Sequence, residues 1–171
     1  MSNPGIKWGL IAGTVAILVN VIVWQVSHEL FFSFVLGMIL LAVFVVFSVL
    51  AGLQQKRALG GFIDFKQALK PVFLTFVIGG LMAVVCTYVF YNFVDPTIPD
   101  QAKQHAIATA DRTLHWAHMP EDDIDKQLDD IRKQDFHMPA TGIILTYFSL
   151  LIRYFVLAAI VSVCIRKKRT I

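Results

Sequence analysis

Apolar residues fill four long stretches of the chain, about residues 6–26, 30–53, 72–94 and 142–165, and polar residues gather between and beyond them. At about 1.5 Å per residue, a helix over each stretch crosses roughly 30 Å of hydrocarbon. The pattern predicts an all-α integral membrane protein with four transmembrane helices. One sizeable polar stretch, about residues 95–141, separates the third span from the fourth. It is too short for a core of its own unless it leans on the bilayer or a partner, so residues 1–171 count as one domain.

Helical periodicity continues inside that polar stretch. Thr97-Ile98-Pro99-Asp100 reads as a capping box with proline early in the first turn, and Ile107, Ala110, Leu114 and Ala117 then fall on one face. A second pattern opens at Pro120-Glu121-Asp122-Asp123, carries Ile124, Leu128 and Ile131 on one side and closes on Arg132-Lys133, a charge order that suits the helix dipole. Two amphipathic helices are predicted, near 99–118 and 120–134, as an αα-hairpin inserted between spans three and four at the periplasmic end of the bundle.

The other connections are short. Ser27-His28-Glu29 forces spans one and two into a tight hairpin. On the first span Gly5, Gly9, Ala12, Gly13, Ala16, Asn20 and Ser27 share one face, a stripe that lets another backbone approach closely. That seam serves either the monomer or a homo-oligomer formed through the Gly5/Gly9/Gly13 face; the monomer is favoured because four helices already need mutual contacts. Between spans two and three the chain breaks at Gly60-Gly61. Phe62, Phe65 and Leu69 then repeat at helical spacing opposite Asp64, Lys66 and Lys70, reading either as a short interfacial helix before Pro71 or as an extension of span three.

Composition agrees, with 57% hydrophobic and 16% charged residues. The first apolar run is longer than the roughly 7–15 residues of a signal-peptide core and lacks a small-x-small cleavage site, so it is expected to remain as a span flanked by Trp8 and Trp24. Charge then sets orientation. Lys7, Lys56, Arg57, Lys66, Lys70, Arg166, Lys167, Lys168 and Arg169 share one side of a four-span chain, whereas the 95–141 stretch holds ten of the twelve acids. The positive-inside rule places both termini in the cytoplasm and the hairpin outside. Lys56, Arg57, Lys66, Lys70, Arg166, Lys167, Lys168 and Arg169 are candidate anchors on anionic lipid, and no nucleic-acid role follows from them. Cys86 and Cys164 differ by about 20 Å in depth, beyond the roughly 7 Å between Cα atoms that a disulfide spans.

Two stretches resemble a known family. Gly61-Phe62-Ile63-Asp64-Phe65-Lys66-Gln67-Ala68-Leu69-Lys70 before a span, and Tyr88, Tyr91, Asn92, Phe93, Val94, Asp95 and Pro96 closing it, are similar to the Gly-x-Ile-x-Phe-x-x-Ala-Phe-Lys and Tyr-x-x-Tyr-x-x-Ile-Asp-Pro patterns of bacterial domain of unknown function family 4199. Leu69 stands where that family commonly has Phe, and Val94 where it has Ile. The resemblance covers the whole layout and implies a small four-span inner-membrane protein, chiefly of Bacteroidota. It brings no activity and no catalytic residues.

Candidate chemistry is sparse. Arg153 is the one formal charge within a span, about 16 Å deep, where a basic residue costs about 2.5–3.5 kcal/mol on the insertion scale. Gly142, Thr146, Ser149 and Arg153 share the most polar side of helix four, so Arg153 is expected to face into the bundle, with Asn20, Thr87 and Tyr88 as its polar company. A structural hydrogen-bond hub is favoured there over a ligand or anion site, since no intramembrane acid accompanies it. Asp111, His115 and His118 lie within about 60° of one another on a helix and form the one candidate metal set, weighed below simple solvation. Nucleophile-base sets and phosphate-binding glycine loops are absent from the sequence, no cofactor is implied, and the reading leans away from an enzyme. Two classes remain: a non-catalytic membrane scaffold or accessory subunit that meets lipid and another membrane or periplasmic protein, and a small transporter or anionic-lipid-binding protein using Arg153. Transporters tend to show broken helices, and only Gly79-Gly80 hints at one, so the first class leads.

Overall fold

The computed structural model describes residues 3–137 and 139–167. Among them the chain order is α1 (Pro4–Val26), a short α2 (His28–Phe31), α3 (Phe34–Ala58), α4 (Phe65–Val89) prolonged by a π-helical turn at Phe90–Val94, α5 (Ile98–Trp116), α6 (Glu121–Lys133) and α7 (Ala140–Ile165). Four segments are long and apolar enough to cross a membrane: Pro4–Val26, Phe34–Ala58, Phe65–Val94 and Thr141–Ile165.

Local chemistry sets the boundaries, and it moves several of them from their expected places. Pro4 opens α1, and the Asn3 side-chain oxygen accepts the Gly5 amide at 3.0 Å. Two serine caps follow, Ser27 Oγ accepting from the Leu30 amide at 3.4 Å and Ser33 Oγ from the Leu36 amide at 3.2 Å. They divide the apolar run, so the second span begins at Phe34 rather than near residue 30. It then continues past residue 53 through Gln54, Gln55, Lys56 and Arg57, until Gly60 and Gly61 at φ 78° and 90° supply a left-handed turn that favours glycine. α4 starts at Phe65 and runs unbroken through Pro71. Phe62–Lys70 is therefore the lead-in to the third span rather than a separate interfacial helix.

The chain divides into two compact units, Met1–Cys86 with Thr141–Ile171 and Thr87–Ala140. In the first, α3 and α4 pack together, with Phe44 against Phe76 at 6.5 Å between ring centroids. α1 packs on both of them. Trp8 lies 5.8 Å from Phe47 and donates its indole N–H to Gln54 Oε1 at 2.6 Å, while Gly5, Gly9 and Gly13 press on Pro71, Ile78 and Met82 of α4. α7 also packs on both, through Tyr154 against Phe76 at 5.2 Å and against Phe44 at 6.0 Å. Two helices that each contact both members of a pair at the same depth occupy its opposite flanks, so α1 and α7 stand on either side of α3–α4.

The predicted small-residue stripe is the seam. Gly5, Gly9, Ala12, Gly13, Ala16 and Asn20 are the buried residues of α1. Within the chain α4 occupies that face. Lipid tails supply no hydrophobic drive between helices, so this close backbone approach carries the association. Gly79 and Gly80 serve packing as well. A Cβ at Gly79 would lie 2.5 Å from the Phe44 ring, and one at Gly80 2.6 Å from the Tyr154 ring. They seat aromatic rings in a continuous helix, and no break occurs there.

In the second unit α5 packs on α6. Ile124 and Leu128 are buried and Ile107, Leu114 and Ile131 half-buried, while Ile98 at the start of α5 is 1% exposed. The expected capping box at Thr97 does not form. Asp95 takes its place, accepting the Thr97 amide at 2.9 Å and the Thr97 hydroxyl at 2.6 Å, and Gln101 Nε2 donates to that hydroxyl oxygen at 2.8 Å. On α6 the Lys126–Asp123 and Arg132–Asp129 pairs, at 3.3 and 2.9 Å, are exposed and worth about 0.2–0.5 kcal/mol each.

Candidate functional site

Arg153 sits at the centre of the span Thr141–Ile165, but it does not face the bundle. The inward face of α7 is made by Tyr154, Ala158, Val161, Ser162 and Ile165, all buried. Arg153 lies about 100° round the helix from Tyr154 and is exposed, as are Thr146 and Ser149 on the same edge. Inwardness is decided by the shapes that fit between α3 and α4, and Tyr154 with the small Ala158 and Ser162 fit better than a guanidinium. The expected polar site inside the bundle is thus not assembled. Asn20 is on α1, across the α3–α4 pair, and its amide donates to the Ala16 carbonyl at 2.8 Å. Thr87 and Tyr88 lie near the end of α4, where the Tyr88 ring meets Phe93 edge to face at 6.0 Å.

Polar groups that do face the interior are satisfied locally. Ser48 Oγ donates to the Val45 carbonyl at 2.8 Å and Ser162 Oγ to the Ala158 carbonyl at 2.6 Å. The Thr75 hydroxyl is shared between the Pro71 carbonyl at 2.9 Å and the Gly5 carbonyl at 3.3 Å, tying α4 to α1. Tyr147 donates its hydroxyl across to the Val77 carbonyl at 3.0 Å. The Thr75 and Tyr147 bonds join α4 to α1 and to α7, whereas the two serines are satisfied within their own helices.

The basic residues gather at one end of the bundle, as the span count requires. Lys56 Nζ donates to the Ile165 carbonyl at 2.9 Å, capping the C-terminus of α7 where a cation is favoured. Ile63 and Lys167 form an antiparallel bridge, and the Lys167 ammonium stands 5.6 Å from the Phe62 ring centroid. Arg57, Lys66, Lys70 and Arg166 are exposed around this tie. An open cleft of 530 Å³ lies among Asp64, Phe65, Lys66, Gln67 and Arg166. Lys168 and Arg169 lie outside the described residues. The tie between Ile63 and Lys167 was not legible in the sequence, because it joins positions a hundred residues apart; Gly60-Gly61 was the one local sign that the loop turns sharply.

The metal set does not come together. Asp111 and His115 face each other at 3.4 Å, one turn apart on α5. The helix ends at Trp116, however, and His118 stands at φ 57° in the turn beyond it, its Nδ1 2.8 Å from the Trp116 carbonyl oxygen. The shared helical face assumed for three ligands stops one residue short of the turn that contains the third. Among the described residues no group of three or more His, Cys, Asp or Glu side chains is placed to hold a metal ion.

No curated protein and no solved structure matches the chain. A family model does, over residues 7–167, under the description "Protein of unknown function (DUF4199)". The match covers all four spans and the two helices between the third and the fourth, and the chain belongs to that family.

Proposed function

We propose that this protein is a non-catalytic scaffold or accessory subunit of the bacterial inner membrane, with its basic end in the cytoplasm and α5–α6 on the periplasmic side. The observation that carries this reading is where the polar chemistry lies. Interior polar groups are bonded within their own helix or, at Thr75 and Tyr147, to a neighbouring one, and the core between α3, α4 and α7 is filled by Phe44, Phe76 and Tyr154. The groups left to recognise anything face outward: Arg153 with Thr146 and Ser149 in the membrane plane, the lysines and arginines at one end, and the acidic surface of α6. Such a distribution suits a module that meets other molecules at its periphery. Solute passage through a bundle packed by aromatic rings and apposed glycines is disfavoured.

The basic end supports the orientation, since cytoplasmic leaflets carry anionic lipid that attracts juxtamembrane cations by about 1 kcal/mol each. Purification of the full chain from native membranes in mild detergent tests the reading. A companion protein at fixed stoichiometry is expected. A solitary protein that carries a solute across reconstituted vesicles would overturn it.

A further inference from the structure

We infer that the outward edge of α7 formed by Thr146, Ser149 and Arg153 docks a transmembrane helix of another protein that carries an Asp or Glu near mid-span. The inference rests on the accessory-subunit reading and names the surface and the chemistry of its partner. Arg153 is exposed at the centre of Thr141–Ile165, and among the described residues its side chain makes no hydrogen bond or ion pair. The exposed hydroxyls of Thr146 and Ser149 are likewise unbonded. Side chains on a helix lean toward its N-terminus, the side of Arg153 on which Ser149 and Thr146 lie.

A charge at mid-bilayer is costly, and such residues characteristically pair with one another or with backbone carbonyls. Lipid phosphates lie beyond a hydrocarbon half-thickness of about 15 Å, and an extended arginine covers less than half of that. A second copy cannot supply the counter-charge either, because none of the twelve acids falls within a span of this chain. What remains is a foreign helix with a carboxylate at matching depth. It would accept a bidentate guanidinium pair, with the two hydroxyls offering further hydrogen bonds along the same edge.

The test uses the purified full-length chain in phosphatidylcholine vesicles and synthetic single-span leucine helices with Glu, Gln or Leu at their midpoint, association being read by energy transfer. The Glu helix is expected to bind at least tenfold more tightly to the wild type than to Arg153→Met, with the Gln and Leu helices indifferent to the substitution. Arg153→Glu should lose the Glu helix and gain one bearing a central Arg. Equal binding of the Glu helix to wild type and Arg153→Met overturns the proposal. In native membranes a photo-crosslinker replacing Ser149 should capture a protein with an intramembrane acid whose change to the amide abolishes the crosslink. Crosslinks to lipid alone, or to a second copy, overturn the proposal. A stoichiometric companion that never crosslinks at Ser149 overturns it too, while leaving the accessory-subunit reading intact.

Discussion

Ile63 and Lys167 exchange two backbone hydrogen bonds, each 3.1 Å long, and so join the loop after α3 to the chain just beyond α7. The neighbouring Lys56–Ile165 bond closes the same end from α3. Ile63 is 1% exposed, so its side chain anchors what its backbone ties.

Lys167→Pro removes one donor from this tie and leaves the spans untouched. The Ile63 amide should then exchange with solvent on the order of tenfold faster, in keeping with about 0.5–1.5 kcal/mol per hydrogen bond. Hydrogen exchange of the wild type and the variant in micelles reads this directly, and amides within α3 and α4 should not change.

The glycine seam makes a graded prediction. A Cβ at Gly5 would lie 2.6 Å from the Pro71 carbonyl oxygen, a backbone atom with little freedom to yield, and one at Gly79 would meet the Phe44 ring at 2.5 Å and the Gly9 carbonyl oxygen at 3.2 Å. Gly5→Ala and Gly79→Ala should each destabilise the bundle by about 1–3 kcal/mol. Gly37 has nothing within 4 Å of its added Cβ, and Gly37→Ala should be neutral or stabilising by up to about 1 kcal/mol. Unfolding midpoints in detergent separate the two outcomes.

Phe76 is fully buried, stacked on Tyr154 and packed against Phe44. Phe76→Ala should cost about 3–5 kcal/mol and loosen α3, α4 and α7 together. Arg153→Met, on the exposed edge of α7, should leave the same unfolding midpoint nearly unchanged.

Spans, the α1 seam and the α5–α6 pair were legible because each rests on a sum over many residues. Hydropathy accumulates over twenty positions, and a face such as Gly5, Gly9, Gly13 and Ala16 is fixed by helical period alone. The direction of Arg153 was not legible. Inside lipid both faces of α7 are apolar, so polarity is a poor guide to which face turns inward, and the decision falls to the fit of Tyr154, Ala158 and Ser162 against α3 and α4. Helix ends were hard for a related reason. Ser33 and Asp95 act through local side-chain hydrogen bonds that no periodicity reveals, and the turn at His118 removes it from the face it shares with Asp111 and His115 in an uninterrupted helix.

Asp135 offers a pH signature. Its carboxylate accepts the His137 amide at 2.9 Å and stands 2.7 Å from His137 Nδ1, and these bonds, the backbone one foremost, hold its pKa below the usual 3.8. A lowered folded pKa means the turn is fully stabilised above the ordinary carboxylate range and loses that support as pH falls through the folded value. Carbon-13 titration of the Asp135 carboxyl should therefore give a midpoint below 3.8. His137→Ala should raise the midpoint only in part, because the backbone donor remains, whereas His137→Pro, which removes that donor, should raise it further.

Orientation admits a direct check. The Ile63–Lys167 bridge and the Trp8–Gln54 hydrogen bond show that the start of α1, the loop after α3 and the end of α7 share one end of the bundle. Nine basic residues belong to those segments, against five in residues 95–141, and cytoplasmic loops are the ones enriched in Lys and Arg. In a Cys86→Ala/Cys164→Ala background, Asp125→Cys should react with a membrane-impermeant maleimide in cells whose outer membrane has been made permeable, while Leu59→Cys should react only after the inner membrane is opened. Leu59 is 41% exposed, so its failure to label intact cells would reflect its side of the membrane rather than burial. Reversed labelling would place the basic end outside and break the link between charge and topology on which the proposed orientation depends.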